Sequence, residues 1–126
     1  MRLVSILRSS IAYLGIIKKP DLVAELVADH PDREQLQQGR LYLVGDRRFQ
    51  KWAVMACPCG CGEPIMLSLS QKKRPSWSVA WDWLARPSLD PSVRQTAGCY
   101  AHFWVRDGRV EWCGDTGRPW RMGQNV

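Results

Sequence analysis

Short runs that alternate between apolar and polar residues occupy most of the chain after residue 39, and turn-forming residues separate them. Alternation with a period of two is typical of strands that bury one face. The runs predict strands at residues 41–44, 51–56, 65–70 and 76–83, followed by a hairpin over residues 102–113. The first two of these strands form a predicted hairpin that leads into a cluster of cysteines. The pattern therefore indicates a mostly antiparallel β domain.

The pattern before residue 39 differs, because apolar residues recur there at helical spacing. The first such stripe consists of Leu3, Leu7, Ile11 and Leu14. A second short helix is predicted over residues 21–29, with Leu22, Leu26 and Val27 on one face. The expected fold class is α+β: a small antiparallel β domain preceded by one or two amino-terminal helices that pack on it.

Asp107-Gly108 lies between two alternating runs, which is a strong hairpin signal. A two-residue turn at this point fixes the register of the two strands. One face would then hold Phe103, Val105, Val110 and Trp112, the predicted core residues. The other face brings His102 opposite Cys113, with Cβ atoms about 5 Å apart, and places Glu111 diagonally within reach of His102.

Aromatic residues are concentrated after residue 50, where all seven tryptophans lie. Trp77, Val79, Trp81 and Trp83 share one face of their predicted strand. Such a row more often packs in a core than stacks on single-stranded nucleic acid. We therefore expect it to be buried.

Length and composition indicate one ordinary globular domain of 126 residues. We divide it into a helical extension (1–38), the β domain (39–113) and a tail (114–126). The net charge of +6 comes mostly from scattered basic residues, with Lys72-Lys73-Arg74 as the one tight run. No apolar run reaches the ~20 residues of a membrane span, and no secretion signal is apparent. We expect a soluble, cytoplasmic protein.

The strongest chemical signal is Cys57-Pro58-Cys59-Gly60-Cys61, which places three thiols on one tight turn. Cysteines this close are poor disulfide partners but suit a metal, and thiolate-rich sites favour structural zinc. Cys99 is the natural fourth ligand, which makes the predicted set Cys57, Cys59, Cys61 and Cys99. His102 and Cys113 stay open as rival or additional ligands, and a reduced cysteine turn without metal or an iron–sulfur site are alternatives.

His102 has a second interpretation, as a catalytic base beside a structural zinc. Ser92 follows Pro91 in a predicted turn and would supply the nucleophile. Glu111 would then orient the imidazole, as the acidic member of a nucleophilic triad. The plain alternatives are a turn serine and a histidine with an ordinary hydrogen-bonding role.

Four segments together resemble a small cysteine-rich bacterial family: residues 57–63, 65–69, 91–93 and 99–108. This family, here called BubE-like, is encoded beside ubiquitin-like modifiers and their E1- and E2-like enzymes in bacterial ubiquitination-like (Bub) operons. The likeness spans roughly residues 39–113 and leaves both ends of the chain uncovered.

The resemblance implies a metal-stabilised β domain that works on a ubiquitin-like protein, with Ser92 and His102 as the residues of a modifier-processing peptidase. Bacterial deconjugating metalloenzymes carry a His-x-His motif, which this chain lacks because its two histidines are His30 and His102. Two further hypotheses compete with the peptidase. One is a non-catalytic zinc adaptor that binds the modifier or its E2-like enzyme, and the weaker one is a nucleic-acid-binding zinc domain.

Overall fold

The computed structural model describes residues 19–119, and within them the chain is built almost entirely from strands. The strands are β1 (Val23–Val27), β2 (Arg40–Gly45), β3 (Gln50–Ala56), β4 (Pro64–Ser68), β5 (Ser78–Trp81), β6 (Pro87–Arg94), β7 (His102–Arg106) and β8 (Arg109–Trp112). One turn of 3-10 helix, Arg33–Gln35, lies between β1 and β2. No helix in this part of the chain is long and apolar enough to cross a membrane.

The strands form two four-stranded sheets, ordered β1-β2-β3-β4 and β5-β6-β7-β8. β1 runs parallel to β2, and all other pairs are antiparallel. Leu41 and Met55 of the first sheet share one core with Phe103 and Val105 of the second, and all four side chains are fully buried. The sheets therefore pack face to face, and burying each of these side chains contributes about 1.5–3 kcal/mol.

The predicted α+β class is wrong, because the segment expected to form the second helix is strand β1. Leu22, Ala24 and Leu26 alternate toward the shared core, while Val27 packs on the opposite side of the sheet. The apolar positions fit the spacing of a helix and also that of a strand. Pairing with β2 stabilises the strand and outweighs the helical preference of these residues. The first predicted helix, at residues 3–14, lies outside the described residues.

The other predicted strands are confirmed as β2 to β5, although β5 ends at Trp81. Trp77, Val79 and Trp81 pack on the core as predicted. Trp83 lies beyond the strand and is exposed, so its predicted burial is wrong.

The β7–β8 hairpin has the predicted register, with Phe103 opposite Trp112 and Arg106 opposite Arg109. The main-chain N–H of Cys113 donates to the carbonyl of His102 at 2.9 Å, which extends this pairing. The predicted distribution of burial is partly wrong, however. Trp112 is largely exposed, whereas His102, expected on the open face, has only 2% of its surface accessible. His102 is buried because the segment after β8 folds back over the start of β7, where Thr116 and Gly117 bond to His102 and Tyr100.

Candidate active site and metal centre

Three side chains form a continuous hydrogen-bonded chain at one end of the second sheet. The Oγ atom of Ser92 lies 3.0 Å from Nε2 of His102. The other ring nitrogen, Nδ1, lies 2.7 Å from Oδ1 of Asp115. A hydroxyl, an imidazole and a carboxylate in this order are the parts of a nucleophilic triad.

The neighbouring strands β6 and β7 bring the serine and the histidine together. His102 is the first residue of β7 and is paired with Arg94 of β6. The register of β6 shifts between Leu89 and Val93, and Ser92 lies within that irregular segment. Such a bulge re-aims a side chain relative to a regular strand.

Ser92 therefore lies on a strand and not in the predicted turn. The sequence predicts a turn because Pro91 directly precedes Ser92, and proline cannot donate a hydrogen bond within a central strand such as β6. The structure accommodates Pro91 in the bulge.

Asp115 reaches His102 from the segment after β8, which turns back across the start of β7. The N–H of Thr116 donates to the carbonyl of Cys113 at 3.1 Å, and the N–H of Gly117 donates to the carbonyl of Tyr100 at 2.9 Å. The hydroxyl of Thr116 also accepts the main-chain N–H of His102 at 2.9 Å. These contacts fix residues 116 and 117 against the strand that carries the imidazole.

A charged residue of β6 supports the carboxylate from its other side. Arg94 donates to Oδ2 of Asp115 at 2.9 Å, so both carboxylate oxygens are engaged. The hydrogen bond from His102 and the guanidinium of Arg94 hold the pKa of Asp115 below its ordinary value. Asp115 therefore stays ionised around neutral pH, as a residue that orients an imidazole must.

Glu111, the acidic residue expected beside His102, has a different partner. Its carboxylate accepts from Arg106 at 2.9 Å on the exposed side of the hairpin. Asp115, Arg94 and Thr116 were missed by the sequence argument. A usable signal was present, because the hairpin register puts Cys113 opposite His102 and Asp115 follows two residues later.

The second cluster consists of the four predicted cysteines, Cys57, Cys59, Cys61 and Cys99, whose sulfur atoms all lie within 4.8 Å of one another. The Sγ atom of Cys57 is 3.3 Å from that of Cys59 and 3.7 Å from that of Cys99. Zinc–sulfur bonds of about 2.3 Å in a tetrahedron place the sulfurs ~3.8 Å apart. The donor set and its spacing thus fit a thiolate-bound metal ion.

The turn after β3 shapes this cluster. The N–H of Cys57 donates to the carbonyl of Glu63, and that of Gly60 donates to the carbonyl of Cys57. Gly60 and Gly62 both have positive φ, which lets the chain turn tightly around the thiols. Cys99 comes from the connection between β6 and β7, so the cluster joins the two sheets.

The thiols differ in how readily they lose a proton. Burial raises the pKa of Cys57 and of Cys59, whereas a hydrogen bond from the main chain at Glu63 lowers that of Cys61. The N–H of Cys61 also points at the sulfur of Cys59, at 3.4 Å. Because a metal binds thiolates, its binding would release protons from Cys57 and Cys59.

His102 and Cys113, the alternative ligands, lie apart from the four cysteines. They form a separate group with Asp115, within 4.8 Å of one another. Both ring nitrogens of His102 already contact Ser92 and Asp115. The described residues thus place four thiols in one cluster and the imidazole in the other.

Comparison with known proteins identifies the family of the chain. No curated protein and no solved structure matches the chain significantly. Residues 26–113 match the family described as "Bacterial ubiquitination-like system serine protease (BubE)". The match includes Ser92, His102 and all four clustered cysteines, and it ends two residues before Asp115. Since it covers well over half of the sequence, the chain belongs to the BubE family.

Proposed function

We propose that this protein is a serine peptidase in which Ser92 is the nucleophile, His102 the general base and Asp115 the residue that orients the imidazole. The observation that carries the proposal is the unbroken chain of contacts from Ser92 Oγ to Asp115 Oδ1 through both ring nitrogens. The description of the family as serine proteases supports the same chemistry.

In the proposed reaction, Nε2 of His102 takes the proton of Ser92 as Oγ attacks the carbonyl carbon of the scissile peptide bond. The Nδ1–H donated to Asp115 stabilises the imidazolium that forms. His102 then passes the proton to the leaving amine, the C–N bond breaks, and an ester on Ser92 remains. Water, deprotonated by the same imidazole, hydrolyses the ester and frees the serine.

The proposed substrate is a ubiquitin-like modifier, either joined to a target or carrying a carboxy-terminal extension. The family's assignment to a ubiquitination-like system supports this choice. The E1- and E2-like enzymes of such a system are proposed as further partners. Bond cleavage would occur in the modifier's extended tail, where a peptide bond is accessible to attack.

We also propose that Cys57, Cys59, Cys61 and Cys99 hold zinc in a structural role. Four thiolates would fill all four coordination positions of a tetrahedral site, so none would be left for a reacting water. When bound, zinc would supply folding free energy by joining the turn after β3 to the connection before β7. His102 lies three residues after Cys99, so the same cross-link would help to position the base.

The direct test uses a modifier fused to a short carboxy-terminal peptide, and a fluorophosphonate probe that labels activated serines. The unaltered protein is expected to cut the fusion and to carry the label on Ser92. Ser92→Ala and His102→Ala should lower cleavage by about 10⁴-fold or more. The matched control is Ser78→Ala, which alters an exposed serine of the adjacent strand β5.

Cleavage that survives in Ser92→Ala would overturn the proposal. Binding of the modifier without cleavage or labelling would instead favour the zinc-adaptor hypothesis. Steeply salt-dependent binding to DNA or RNA would favour the nucleic-acid hypothesis.

A further inference from the structure

A groove of about 580 Å³ runs along the β4 edge of the first sheet, and no role has been assigned to it. Strands β3 and β4 form one side, and the connection from β4 to β5 forms the other. Its lining includes Phe49 and Met66, whose side chains are 62% and 54% exposed. Two large apolar residues left open beside one concave surface indicate a binding site.

The charge of this groove has a single sign. Lys51, Lys73 and Arg74 line it, and none of the described lining residues is acidic. Within residues 19–119 none of these three cations belongs to an ion pair. The guanidinium of Arg74 donates to the hydroxyl of Ser76, which holds it in place. The groove therefore complements a carboxylate.

The basic run that stands out in the sequence is divided by this surface. Lys73 and Arg74 line the groove, whereas Lys72 does not. Lys73 and Arg74 thus contribute their charges to the groove, and Lys72 offers a matched control outside it.

One wall of the groove is connected to the proposed nucleophile. The indole N–H of Trp77 donates to the main-chain carbonyl of Ser92 at 3.2 Å, and Trp77 also lines the groove. The main-chain N–H of Trp77 donates to the carbonyl of Ser68 on β4. A segment lying in the groove would contact the same side chain that supports the peptide unit of Ser92.

We propose that the groove binds an extended acidic segment of the protein substrate. In this complex an apolar side chain of the segment packs on Phe49 and Met66, and a carboxylate pairs with Lys73 and Arg74. The inference rests on the proposed function, which it deepens by naming the chemistry of the substrate. A peptide is favoured over nucleic acid because the described lining of the groove offers three cations, whereas a phosphate-tracking surface needs a longer basic stripe.

The test measures the fluorescence anisotropy of three labelled twelve-residue peptides. In each peptide every second residue is Leu or Gly, and the remaining residues are all Asp, all Asn or all Lys. The Ser92→Ala variant of the full chain serves as the binding partner, so that cleavage does not interfere. The Asp peptide should bind at least about tenfold more tightly than the Asn peptide at low salt, and its affinity should fall as salt rises.

Charge reversal guards against a variant that merely folds poorly. Lys73→Glu combined with Arg74→Glu should prefer the Lys peptide over the Asp peptide, an outcome that loss of structure does not produce. Lys72→Glu, the matched control, should retain the preference for Asp. An unchanged preference in the double variant, or no binding of the Asp peptide by the unaltered groove, overturns the inference.

The two proposals fail separately. If the fluorophosphonate labels Ser92 but the protein shows no preference for the acidic peptide, the groove proposal is wrong and the peptidase proposal is unaffected. If the protein binds the acidic peptide but its serine never reacts, the peptidase proposal is wrong and the groove proposal is unaffected. A single-stranded oligonucleotide that displaces the Asp peptide at lower concentration than unlabelled Asp peptide would contradict the choice of a peptide occupant.

Discussion

His102 and Asp115 are joined by a 2.7 Å contact between Nδ1 and Oδ1, although they lie on different segments of the chain. Strand β7 supplies the imidazole, and the segment after β8 supplies the carboxylate. Because Nδ1 faces an acceptor, the tautomer with hydrogen on Nδ1 is favoured, and Nε2 is left to accept the proton of Ser92.

Asp115→Asn is expected to lower kcat/KM for modifier cleavage by about 10²- to 10⁴-fold, because an amide can donate to Nδ1 and so favour the wrong tautomer. Steady-state cleavage assays measure this effect. Glu111→Gln is the matched control and should stay within about twofold of the unaltered protein, since Glu111 pairs with Arg106 on the exposed side of the hairpin. A large loss in Glu111→Gln with none in Asp115→Asn would reverse the assignment.

The stability of the protein toward denaturant should depend on pH through Asp115. The folded state lowers the pKa of this carboxyl, so its stabilising contribution is present above the ordinary value of about 3.9 and is lost as the pH falls through the lower folded value. Asp115→Asn cannot titrate. The unaltered protein should therefore have a higher free energy of unfolding than Asp115→Asn at pH 5, and this difference should narrow below about pH 4.

Urea unfolding curves collected between pH 5 and pH 3 give this comparison. A gap that stays constant down to pH 3 would show that Asp115 does not stabilise the fold in its ionised form.

Purified protein should carry one zinc ion per chain, and Cys57→Ser should lose it. Chelation should lower Tm by about 5 °C or more, because the proposed metal would join the two sheets. Metal release should also become easier as the pH falls, since protons compete for the thiolates. Elemental analysis with thermal unfolding tests each statement.

Cys113→Ser is the control for the metal experiment, because Cys113 lies outside the four-cysteine cluster. This variant is expected to retain one metal ion per chain. Loss of metal in Cys113→Ser, with full metal in Cys57→Ser, would contradict the proposed ligand set.

Gly108→Ala is expected to destabilise the fold by about 1–3 kcal/mol. Gly108 has a φ of +76°, and an added Cβ would lie 2.9 Å from the carbonyl oxygen of Leu22. The hairpin turn also receives the N–H of Leu22, so the backbone there has little room to move. Gly114→Ala is the control, because its Cβ would meet no atom within 4 Å. Equal stability of the two variants in urea would refute the prediction.

Local patterns predicted much of the β architecture. Asp107-Gly108 fixes the hairpin, and the alternation on either side of it gives the register seen in the structure. The cysteine turn likewise contains three of the four clustered thiols, and Cys99 completes the set of four ligands that a tetrahedral site needs.

Features that depend on distant contacts were missed. Residues 23–27 follow apolar spacing that suits a helix, and the parallel partner β2 makes them a strand. Pro91 indicates a turn around Ser92, and the bulge that places this segment in strand β6 cannot be inferred from a single sequence. Asp115 was overlooked because the tail has no periodic pattern, and its position depends on hydrogen bonds to Tyr100 and His102.

Residues 115–117 fold back across the start of β7, which affects the design of shortened forms of the protein. A fragment ending at residue 113, where the family match stops, would retain the hydroxyl and the imidazole. It would lack the carboxylate and the threonine that cover them. The imidazole would then have no acceptor at Nδ1, so under the proposed mechanism an inactive fragment would reflect the missing segment and not an inactive protein.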